Sequence, residues 1–410
     1  KVYWSEGDTA SKAIKERINQ LLSAPLTADS SVRIALLNNR RIQGVYQDLH
    51  IAQADLVEAG LLSNPILDGE MRFPKGGANF ELSLVQDFIG ILQIPMRKKI
   101  ASAQFEQAKI HVIGEVLSLS AITKLAFYEY QSSEQRLEVA KTALDSLDAS
   151  VTLAKRLHEA GNINDLDLQQ EQATYESLKL EISSLEQQVI ERREHLNMLL
   201  GVWQKPHSWK AGKRLSEAVF VVDDIENVET RVIANSIELA QSRKELLALA
   251  TSLGLASDFA LLTTGELGGS AAKEGGGSWG FGPAFSIPLP FFNQGQPTVL
   301  RANAEFRKKA EEYTDLAVRL RATARKLAGQ LKIAKQQAEY FKNTLLPLRS
   351  RLVNEYQKQY NGMLIGAFQL LSAKREQIEV AERYVDSLEQ YWRTNTKLTS
   401  LINGKNIEEN

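Results

Sequence analysis

The chain has 410 residues, 43% of them hydrophobic, with 49 basic and 50 acidic side chains. This near balance of charge excludes a global attraction to nucleic acid or to an anionic membrane surface. Cysteine is absent, which excludes disulfides, thiolate metal sites and a cysteine nucleophile. No run of roughly 18 apolar residues occurs, so any membrane crossing is expected to use β-strands rather than an α-helix. Because the chain begins at Lys1 without a leader, we interpret it as the mature form of an exported protein.

The first elements predicted along the chain are a helix and then two strands. In "NFELSLVQDF" the hydrophobic period changes from 3.6 to 2, which is typical of a strand. Phe80, Leu82, Leu84 and Phe88 fall on one face of it, and Glu81, Ser83, Val85 and Asp87 fall on the other. A partner strand is predicted near 64–73, joined to it through Gly76 and Gly77.

A long helix is predicted next, over 96–160. Roughly 65 periodic, charged residues at about 1.5 Å each give a helix of roughly 95 Å, a length typical of coiled coils packed side by side. Leu144, Leu147 and Val151 form a narrow apolar seam along it. Gly161 followed by Asn162 predicts the C-terminal turn of this helix, and a shorter helix returns over 163–200.

The same pattern occurs a second time, at one constant offset. Ala101, Phe105 and Gly161 match Ala302, Phe306 and Gly362, and the seam recurs at Leu345, Leu348 and Leu352. A long helix is therefore predicted over 298–360, a turn at Asn361 and Gly362, and a returning helix over 363–402. Pro347, whose counterpart is Ser146, should kink the second long helix. The chain is thus divided into two repeats, 1–210 and 211–403, and a polar tail, 404–410.

The strands of the second repeat are predicted around "WGFGPAFSIPL". Here Trp279, Phe281, Phe285, Ile287 and Leu289 alternate with small residues, so one face is bulky and the other is small. Pro283 is expected to break the ladder because it has no N–H to donate. A partner strand is predicted near 258–268, followed by a flexible glycine-rich loop over 268–277 that contains Lys273 and Glu274.

Four strands of about ten residues have the length of tilted transmembrane strands, but four strands cannot close a barrel. A barrel that spans a membrane would therefore need several chains. The alternative is an ordinary four-stranded sheet packed under helices. The long helices favour the first interpretation, because they leave no compact body on which such a sheet could pack.

The chain resembles the TolC-like outer membrane factors over nearly its whole length. The likeness rests on "APLTADSSVRIALLNNRRIQ" at 24–43, on "AGLLSNPIL" at 59–67 and on "FSIPLPFFNQGQ", in this order within a duplicated helical-hairpin frame. The last two segments look most like the heavy-metal branch of the family. The resemblance implies a mainly helical fold whose hairpins form a periplasmic α-barrel. It also implies a homotrimer in which each chain gives four strands to a twelve-stranded barrel in the Gram-negative outer membrane.

The resemblance also implies where function concentrates. The hairpin tips, with Gly161, Asn162, Asn361 and Gly362, are the expected contacts of a periplasmic adaptor protein that joins an inner-membrane pump of the RND type. Family members carry acidic residues shortly after the turn glycine, which matches Asp165 and Asp167. Phe368 and Leu371 stand where the second hairpin would carry acids, which puts an acidic gate there in doubt and makes an apolar constriction the expectation. For the two acids, stabilisation of a helix N-terminus is the alternative.

The resemblance further implies that one strand face contacts lipid and that Pro288 and Pro290 turn the chain out of the barrel. The lipid-facing residues are expected to be Phe80, Leu82, Leu84, Phe281, Phe285 and Ile287.

No catalytic pattern is found. The histidines show no metal-ligand spacing and no phosphate loop is present, so we expect no enzymatic activity, no metal and no cofactor. They are His50, His111, His158, His195 and His207. The expected function is a passive efflux duct for metal cations or small toxic compounds, without a role in binding nucleic acid. The alternatives are the exit channel of a type I protein secretion system and a coiled-coil scaffold without a pore.

Overall fold

The computed structural model describes residues 8–73, 77–203, 209–212, 214–218, 227–258, 266–274, 276–287, 291–292 and 294–407. Long α-helices make up most of these residues, and one four-stranded antiparallel sheet accompanies them. The predicted class, mainly helical with four strands per chain, is confirmed. Five residues named in the sequence predictions lie outside the described ranges: Gly76, His207, Pro288, Leu289 and Pro290.

Both halves of the chain contain two helices, two strands, a long helical segment and a returning helix in the same order, and α1 precedes this set in the first half. The first half contains α1 (Asp8–Ser23), α2 (Ala28–Asn38), α3 (Arg40–Glu58), β1 (Ile66–Arg72), β2 (Asn79–Asp87), α4 (Phe88–Glu159) and α5 (Asp165–Leu200). The second half contains α6 (Val228–Asn235), α7 (Ile237–Asp258), β3 (Glu266–Lys273), β4 (Gly280–Ser286), α8 (Gln296–Tyr340), a π-turn (Phe341–Leu345), α9 (Leu346–Asn361) and α10 (Ala367–Ile402). The order supports a duplication, while the repeat boundaries stay a prediction.

One asparagine in each half makes an equivalent hydrogen bond to the end of a long helix. Asn38 Nδ2 donates to the carbonyl oxygens of Leu200 and Gly201 at 3.0 and 2.7 Å, at the C-terminus of α5. Asn235 Nδ2 donates to the Ile402 carbonyl at 3.0 Å, at the C-terminus of α10. The last carbonyls of a helix have no partner within the helix, so each asparagine satisfies an acceptor that would otherwise stay open.

The chain divides into two compact units, and each unit takes segments from both halves. The first comprises Lys1–Gln43, Glu115–Ser236 and Leu320–Asn410, and the second comprises Gly44–Gly114 and Ile237–Arg319. All four strands belong to the second unit. The units cut across the predicted repeats because β2 from one half pairs with β3 from the other.

A buried apolar cluster in the first unit is organised around an aromatic pair. Tyr130 is 1% exposed and packs edge-on against Trp209, with 5.1 Å between the ring centroids. Trp209 Nε1 donates to Asn197 Oδ1 at 3.0 Å, and the Arg193 guanidinium lies 4.8 Å from the indole centroid. Both the polar edge and the face of the indole therefore have partners. The other buried members are Ile18, Leu22, Leu26, Ile34, Ala35, Ala126, Phe127, Leu196 and Leu200.

The same unit holds a buried carboxylate, Glu389 on α10, whose side chain is 9% exposed. It accepts a hydrogen bond from Ser132 Oγ at 2.6 Å and forms an ion pair with Arg136, both on α4. Arg136 Nε also lies 2.7 Å from Asp386 Oδ1, and Arg192 of α5 lies 3.8 Å from the second Glu389 oxygen. A buried charge is tolerated only where it is paired and hydrogen-bonded, so this network ties α4, α5 and α10 together.

The two long helical segments differ where the sequence predicts a difference. α4 continues through Ser146, whose hydroxyl donates to the Thr142 carbonyl at 3.3 Å. In the second half α8 ends at Tyr340, a π-turn follows, and Pro347 is the second residue of α9. Because proline lacks an N–H and its ring crowds the preceding turn, the helix widens there instead of continuing as an α-helix.

One expectation about helices needs correction. α4 contains an 18-residue window of mean hydropathy 1.5 that is long and apolar enough to cross a membrane, and 33% of that window is buried. The sequence criterion is an uninterrupted run of apolar residues. Small polar residues interrupt such a run in this window, but they lower its mean hydropathy only slightly. Core helices of soluble proteins pass the same test of length and composition.

The sheet has the order β1-β2-β3-β4, with every neighbouring pair antiparallel. Its strands have 7, 9, 8 and 7 residues, which is shorter than the ten predicted. The alternating pattern continues past the hydrogen-bonded ladder: Ile287 follows the end of β4, and Phe88 is already the first residue of α4. The sequence therefore overestimates the strand length.

The position of β3 also differs from the prediction. It runs over Glu266–Lys273, so most of the glycine-rich segment expected to form a flexible loop is strand. Gly268 is required in this strand, because a Cβ there would lie 1.8 Å from the Leu84 carbonyl oxygen of β2. Here glycine allows two backbones to approach closely, and it does not indicate a flexible loop.

Pro283 does not break the ladder. β4 is continuous through it, with Pro283 opposite Gly269 of β3. In this four-stranded sheet β4 is an edge strand, where every second N–H points away from its only neighbour. Proline is tolerated at such a position, and the expected break is therefore wrong.

Candidate functional site

The first hairpin turns at Gly161, as predicted. Gly161 has a φ of +74°, in the left-handed region that favours glycine. Its N–H donates to the His158 carbonyl at 2.8 Å, and the Asn162 N–H donates to the Leu157 carbonyl at 2.8 Å. These two hydrogen bonds form the Schellman motif, which closes the C-terminus of α4.

Asp165 and Asp167 lie in the first turn of α5, and both are exposed. Asn164 is the N-cap of this helix, and its Oδ1 accepts a hydrogen bond from the Asp167 N–H at 2.8 Å. His158 Nε2 lies 2.7 Å from Asp165 Oδ1, so this carboxylate is paired across the turn. The geometry suits the stabilisation of a helix N-terminus, the alternative to a gate. A gate formed by these two acids stays a prediction.

The second hairpin makes the same turn one residue later than the sequence repeat predicts. Gly362 has a φ of −82°, an ordinary value for any residue. Met363 instead has a φ of +56°, and its N–H donates to the Tyr360 carbonyl at 2.9 Å. Met363, rather than Gly362, is therefore the structural counterpart of Gly161.

This shift changes which residues correspond beyond the two turns. α5 and α10 each begin four residues after the left-handed residue, so Phe368 corresponds to Leu166 and Gln369 corresponds to Asp167. The predicted equivalence of Asp167 and Phe368 is wrong by one residue, because counting from the glycines ignores which residue is left-handed. Phe368 and Leu371 are half-buried.

The predicted tip residues Gly161, Asn162, Asn361 and Gly362 are all exposed. The second tip also presents Met363 and Leu364, which are 93% and 78% exposed. These residues are accessible to another protein, although a contact with an adaptor stays a prediction.

Sequence reasoning missed one residue that connects the two hairpins. Glu171 of α5 is largely buried, with 16% of its side chain exposed, and Ser150 Oγ of α4 donates to its Oε2 at 2.7 Å. Its Oε1 lies 3.6 Å from Nη2 of Arg375 on α10. The only sequence signal is that Glu171 follows Asp167 by one helical turn. Its partners are distant in sequence, so the pattern could not identify them.

The sheet brings the predicted lipid-facing residues together on one side. Leu82 is opposite Gly69 on β1 and Ala271 on β3, and cross-strand partners share a face. Phe281 and Phe285 belong to the same face and are 83% and 74% exposed. The face is apolar except at its two ends, where Gln86 lies opposite Leu267 and Lys273 lies opposite Phe80. Its other members are Leu67, Gly69, Met71, Phe80, Leu82, Leu84, Leu267, Gly269, Ala271, Phe281, Pro283 and Phe285. Ile287 follows β4 directly and is 43% exposed.

The opposite side of the sheet is polar or small, apart from Ile66 and Val85 at one end of β1 and β2. Asp68, Glu70 and Arg72 of β1 lie there, next to Glu81 and Ser83 of β2. β3 and β4 contribute mostly glycine, alanine and serine to this side. A sheet with one exposed apolar face and one polar face has the composition of a wall between lipid and water.

Comparison with known proteins agrees with this architecture. A family model described as "Outer membrane efflux protein" matches residues 95–202, which lie in α4 and α5. The outer membrane channel CmeC of Campylobacter jejuni superposes with a TM-score of 0.75 at 15% identity, covering 98% of this chain and 89% of CmeC. Two long helical hairpins and a sheet with one apolar face thus define a TolC-like fold. The chain is thus similar to outer membrane efflux proteins in sequence over residues 95–202 and in fold over nearly its whole length.

Two relatives place it more closely. The cobalt-zinc-cadmium resistance protein CzcC of Cupriavidus metallidurans is 20% identical, over 93% of this chain and 90% of CzcC. The probable outer membrane lipoprotein SilC of Salmonella typhimurium is 22% identical, over 72% of this chain and 66% of SilC. The predicted likeness to the heavy-metal branch of the family is confirmed.

Proposed function

We propose that this protein is the outer-membrane exit duct of a tripartite efflux system and conducts its cargo passively to the exterior. The observation that carries the proposal is the four-stranded sheet, whose apolar face is exposed and whose other face is polar. In a hydrocarbon layer every backbone N–H and C=O needs a protein partner, so such a sheet fits a membrane only inside a closed barrel.

Three copies of the sheet form this barrel. In a single chain β1 and β4 are the edges, and each leaves a row of backbone groups without a neighbour. When β4 of one copy pairs with β1 of the next, three copies close a twelve-stranded barrel without edges. The apolar face then contacts lipid, the polar face lines the lumen, and the long helices extend into the periplasm.

The cargo is a metal cation or a small toxic compound. Among the relatives, CzcC is named for resistance to cobalt, zinc and cadmium, and TtgF of Pseudomonas putida is named as the outer membrane protein of a toluene efflux pump. The pumping energy comes from an inner-membrane partner, which we expect to be an RND pump. A periplasmic adaptor joins this pump to the exposed hairpin tips. The duct itself catalyses no reaction and holds no cofactor.

The tips form the periplasmic entrance. In the trimer, Asp165 and Asp167 are each present three times, and like charges around one small opening repel one another and attract cations. Phe368 and Leu371, in the first turns of α10, add an apolar constriction that resists wetting.

The oligomeric state in detergent tests this proposal. Detergent-corrected light scattering should give the mass of three chains, and planar bilayers containing the protein should show discrete conductance steps. A monomer with full β-content would contradict the trimer. A trimer that never conducts would favour a scaffold without a pore.

Cysteine cross-linking tests the edge pairing directly, because the chain has no cysteine of its own. Within one chain, Asp68→Cys on β1 and Ala284→Cys on β4 are separated by three strand spacings and by two residues along the strand. They are therefore more than about 14 Å apart, too far for a disulfide or a short cross-linker. A short bis-maleimide should therefore link the double variant between chains, giving dimers and trimers on a denaturing gel. The two single variants are the matched controls and should stay monomeric.

A further inference from the structure

A cavity of about 210 Å³ lies between α4 and α10 in the first unit. It is formed by one face of each helix, from Leu117 to Tyr128 on α4 and from Trp392 to Asn403 at the end of α10. None of the residues assigned to the sheet face or to the hairpin tips lines it. The proposed duct function therefore gives this cavity no role.

Two buried polar atoms in the cavity wall have no hydrogen-bond partner among the described residues. They are Asn395 Oδ1 and Thr399 Oγ1, and Asn395 as a whole is only 5% exposed. A desolvated acceptor without a donor is unfavourable, and most buried polar side-chain atoms in folded proteins have a partner. Any molecule that donates hydrogen bonds, water included, would give these two atoms a partner.

Three further hydroxyls in the wall are also acceptors. Ser120 Oγ donates to the Val116 carbonyl at 2.7 Å, Thr396 Oγ1 donates to the Trp392 carbonyl at 2.7 Å, and Ser400 Oγ donates to the Lys405 carbonyl at 2.8 Å. A hydroxyl has one hydrogen and two lone pairs, so each of these oxygens can only accept from a ligand.

Lys124 supplies a donor to the same cavity. Its Nζ lies 3.0 Å from Asp29 Oδ1, and an ammonium has three N–H groups, so this ion pair leaves others for a ligand oxygen. The stacked rings of Tyr128 and Trp392, 5.0 Å apart, give the cavity an apolar wall. The indole N–H is already used, because it donates to the Ser216 carbonyl at 2.8 Å.

We propose that this cavity binds a small polyhydroxylated molecule of monosaccharide size. Each hydroxyl of a polyol donates and accepts, which suits a wall of neutral acceptor oxygens with one ammonium donor. An organic cation would be repelled by the Lys124 ammonium. An anion has no hydrogen to donate to Asn395 Oδ1 and to the acceptor hydroxyls. The C–H face of a sugar ring packs on aromatic side chains, which the apolar wall provides.

Ligand-observed saturation-transfer NMR with glucose and myo-inositol tests the proposal on the full chain. The detergent must be an amine oxide, because glycoside detergents carry a sugar. We expect saturable binding of at least one of the two polyols to the parent protein. Thr399→Val and Asn395→Leu should each weaken it roughly fivefold to tenfold, since each removes one buried hydrogen-bonding group.

Thr314→Val is the matched control. The Thr314 hydroxyl donates to the Ala310 carbonyl at 3.1 Å and is exposed on α8, outside the cavity. This control should bind like the parent, and equal thermal midpoints would show that all variants fold. The proposal is overturned if neither polyol binds saturably, or if both cavity variants bind as the parent does. It is also overturned if ethylammonium or acetate, rather than a polyol, shows the variant-sensitive binding. Conductance in planar bilayers should be unchanged in Thr399→Val, so this test is separate from that of the duct.

Discussion

At the scale of single residues, the two hairpin turns show that matching sequence positions need not have the same backbone conformation. Gly161 and Gly362 occupy matching positions, yet only Gly161 is left-handed. The first turn could be predicted because glycine followed by asparagine usually marks this motif. The second could not, because methionine at the left-handed position contradicts residue preference and gives no signal.

This difference gives the first prediction. Gly161→Ala should lower the free energy of unfolding by about 1 kcal/mol, because a Cβ is strained at a φ of +74°. Met363→Gly should raise it by up to about 1 kcal/mol by removing the same strain. Thermal unfolding followed by far-ultraviolet circular dichroism in detergent measures both changes.

Gly362→Ala is the internal control for these two substitutions. Gly362 has an ordinary φ, and a Cβ there would have its closest neighbour at 3.5 Å, so we expect almost no change in stability. If Gly362→Ala were as damaging as Gly161→Ala, the assignment of Met363 to the left-handed position would be wrong.

A second residue-scale prediction concerns the sheet face. Phe285→Arg places a charge on the apolar face and should cost about 2–4 kcal/mol near the bilayer centre. Ser286→Arg is the neighbouring control, because Ser286 belongs to the opposite face. Folding into lipid vesicles, read from the heat-resistant band on a gel, should fail or slow for the first variant alone. Equal insertion of both would contradict the proposed orientation of the sheet.

At the scale of elements, the charged side chains of α10 make stability depend on pH. Glu382 is half-buried, and burial raises the pKa of its carboxyl above the ordinary value. The nearby Glu181, Asp386 and Glu379 raise the pKa further, while Arg136 lowers it. The folded state therefore prefers the protonated form, and stability is lost as the pH rises from the ordinary carboxyl pKa through the raised one.

Glu382→Gln should accordingly stabilise the protein at neutral pH and leave it unchanged below the ordinary carboxyl pKa, where the parent is already protonated. Thermal midpoints measured across the acidic range would show the gap between parent and variant opening as the pH increases. Glu311→Gln, which removes an exposed acid on α8, is the control for the loss of one negative charge. A gap that is constant at every pH would mean that packing, rather than ionisation, causes the effect.

The elements also show which parts of the fold a sequence can reveal. The long helices follow from their period and from Gly161, and β2 follows from the alternation of Phe80, Leu82 and Leu84. β3 could not be recognised, because Gly268 is required by the closeness of β2, a strand from the other half of the chain, and the local sequence does not show that contact. The Glu171–Arg375 ion pair could not be predicted for the same reason, because its two residues come into contact only when the hairpins pack.

At the scale of the whole molecule, the entrance can be tested by conductance. Asp167→Asn should reduce cation preference in planar bilayers, because the ring of three charges is lost. Phe368→Ala and Leu371→Ala should raise conductance without changing selectivity, because they widen an apolar constriction. Leu166→Ala, at the position that corresponds to Phe368, serves as the matched comparison on the first hairpin. If all variants conduct like the parent, these residues only cap and pack the helices.

The small side chains on the polar face of β3 and β4 have a kinetic consequence. Gly268, Ser270 and Ala272 lie beside Gly282 and Ala284, and none of these carries a charge or a long polar arm. In the proposed trimer, the β3–β4 pair occurs three times around the lumen. Its small side chains offer a solute few groups to bind, so the solute stays only briefly along these strands. A solute then leaves as readily in one direction as in the other. The direction of net flow must therefore be set by supply from the pump, and leakage must be prevented at the entrance rather than along the barrel.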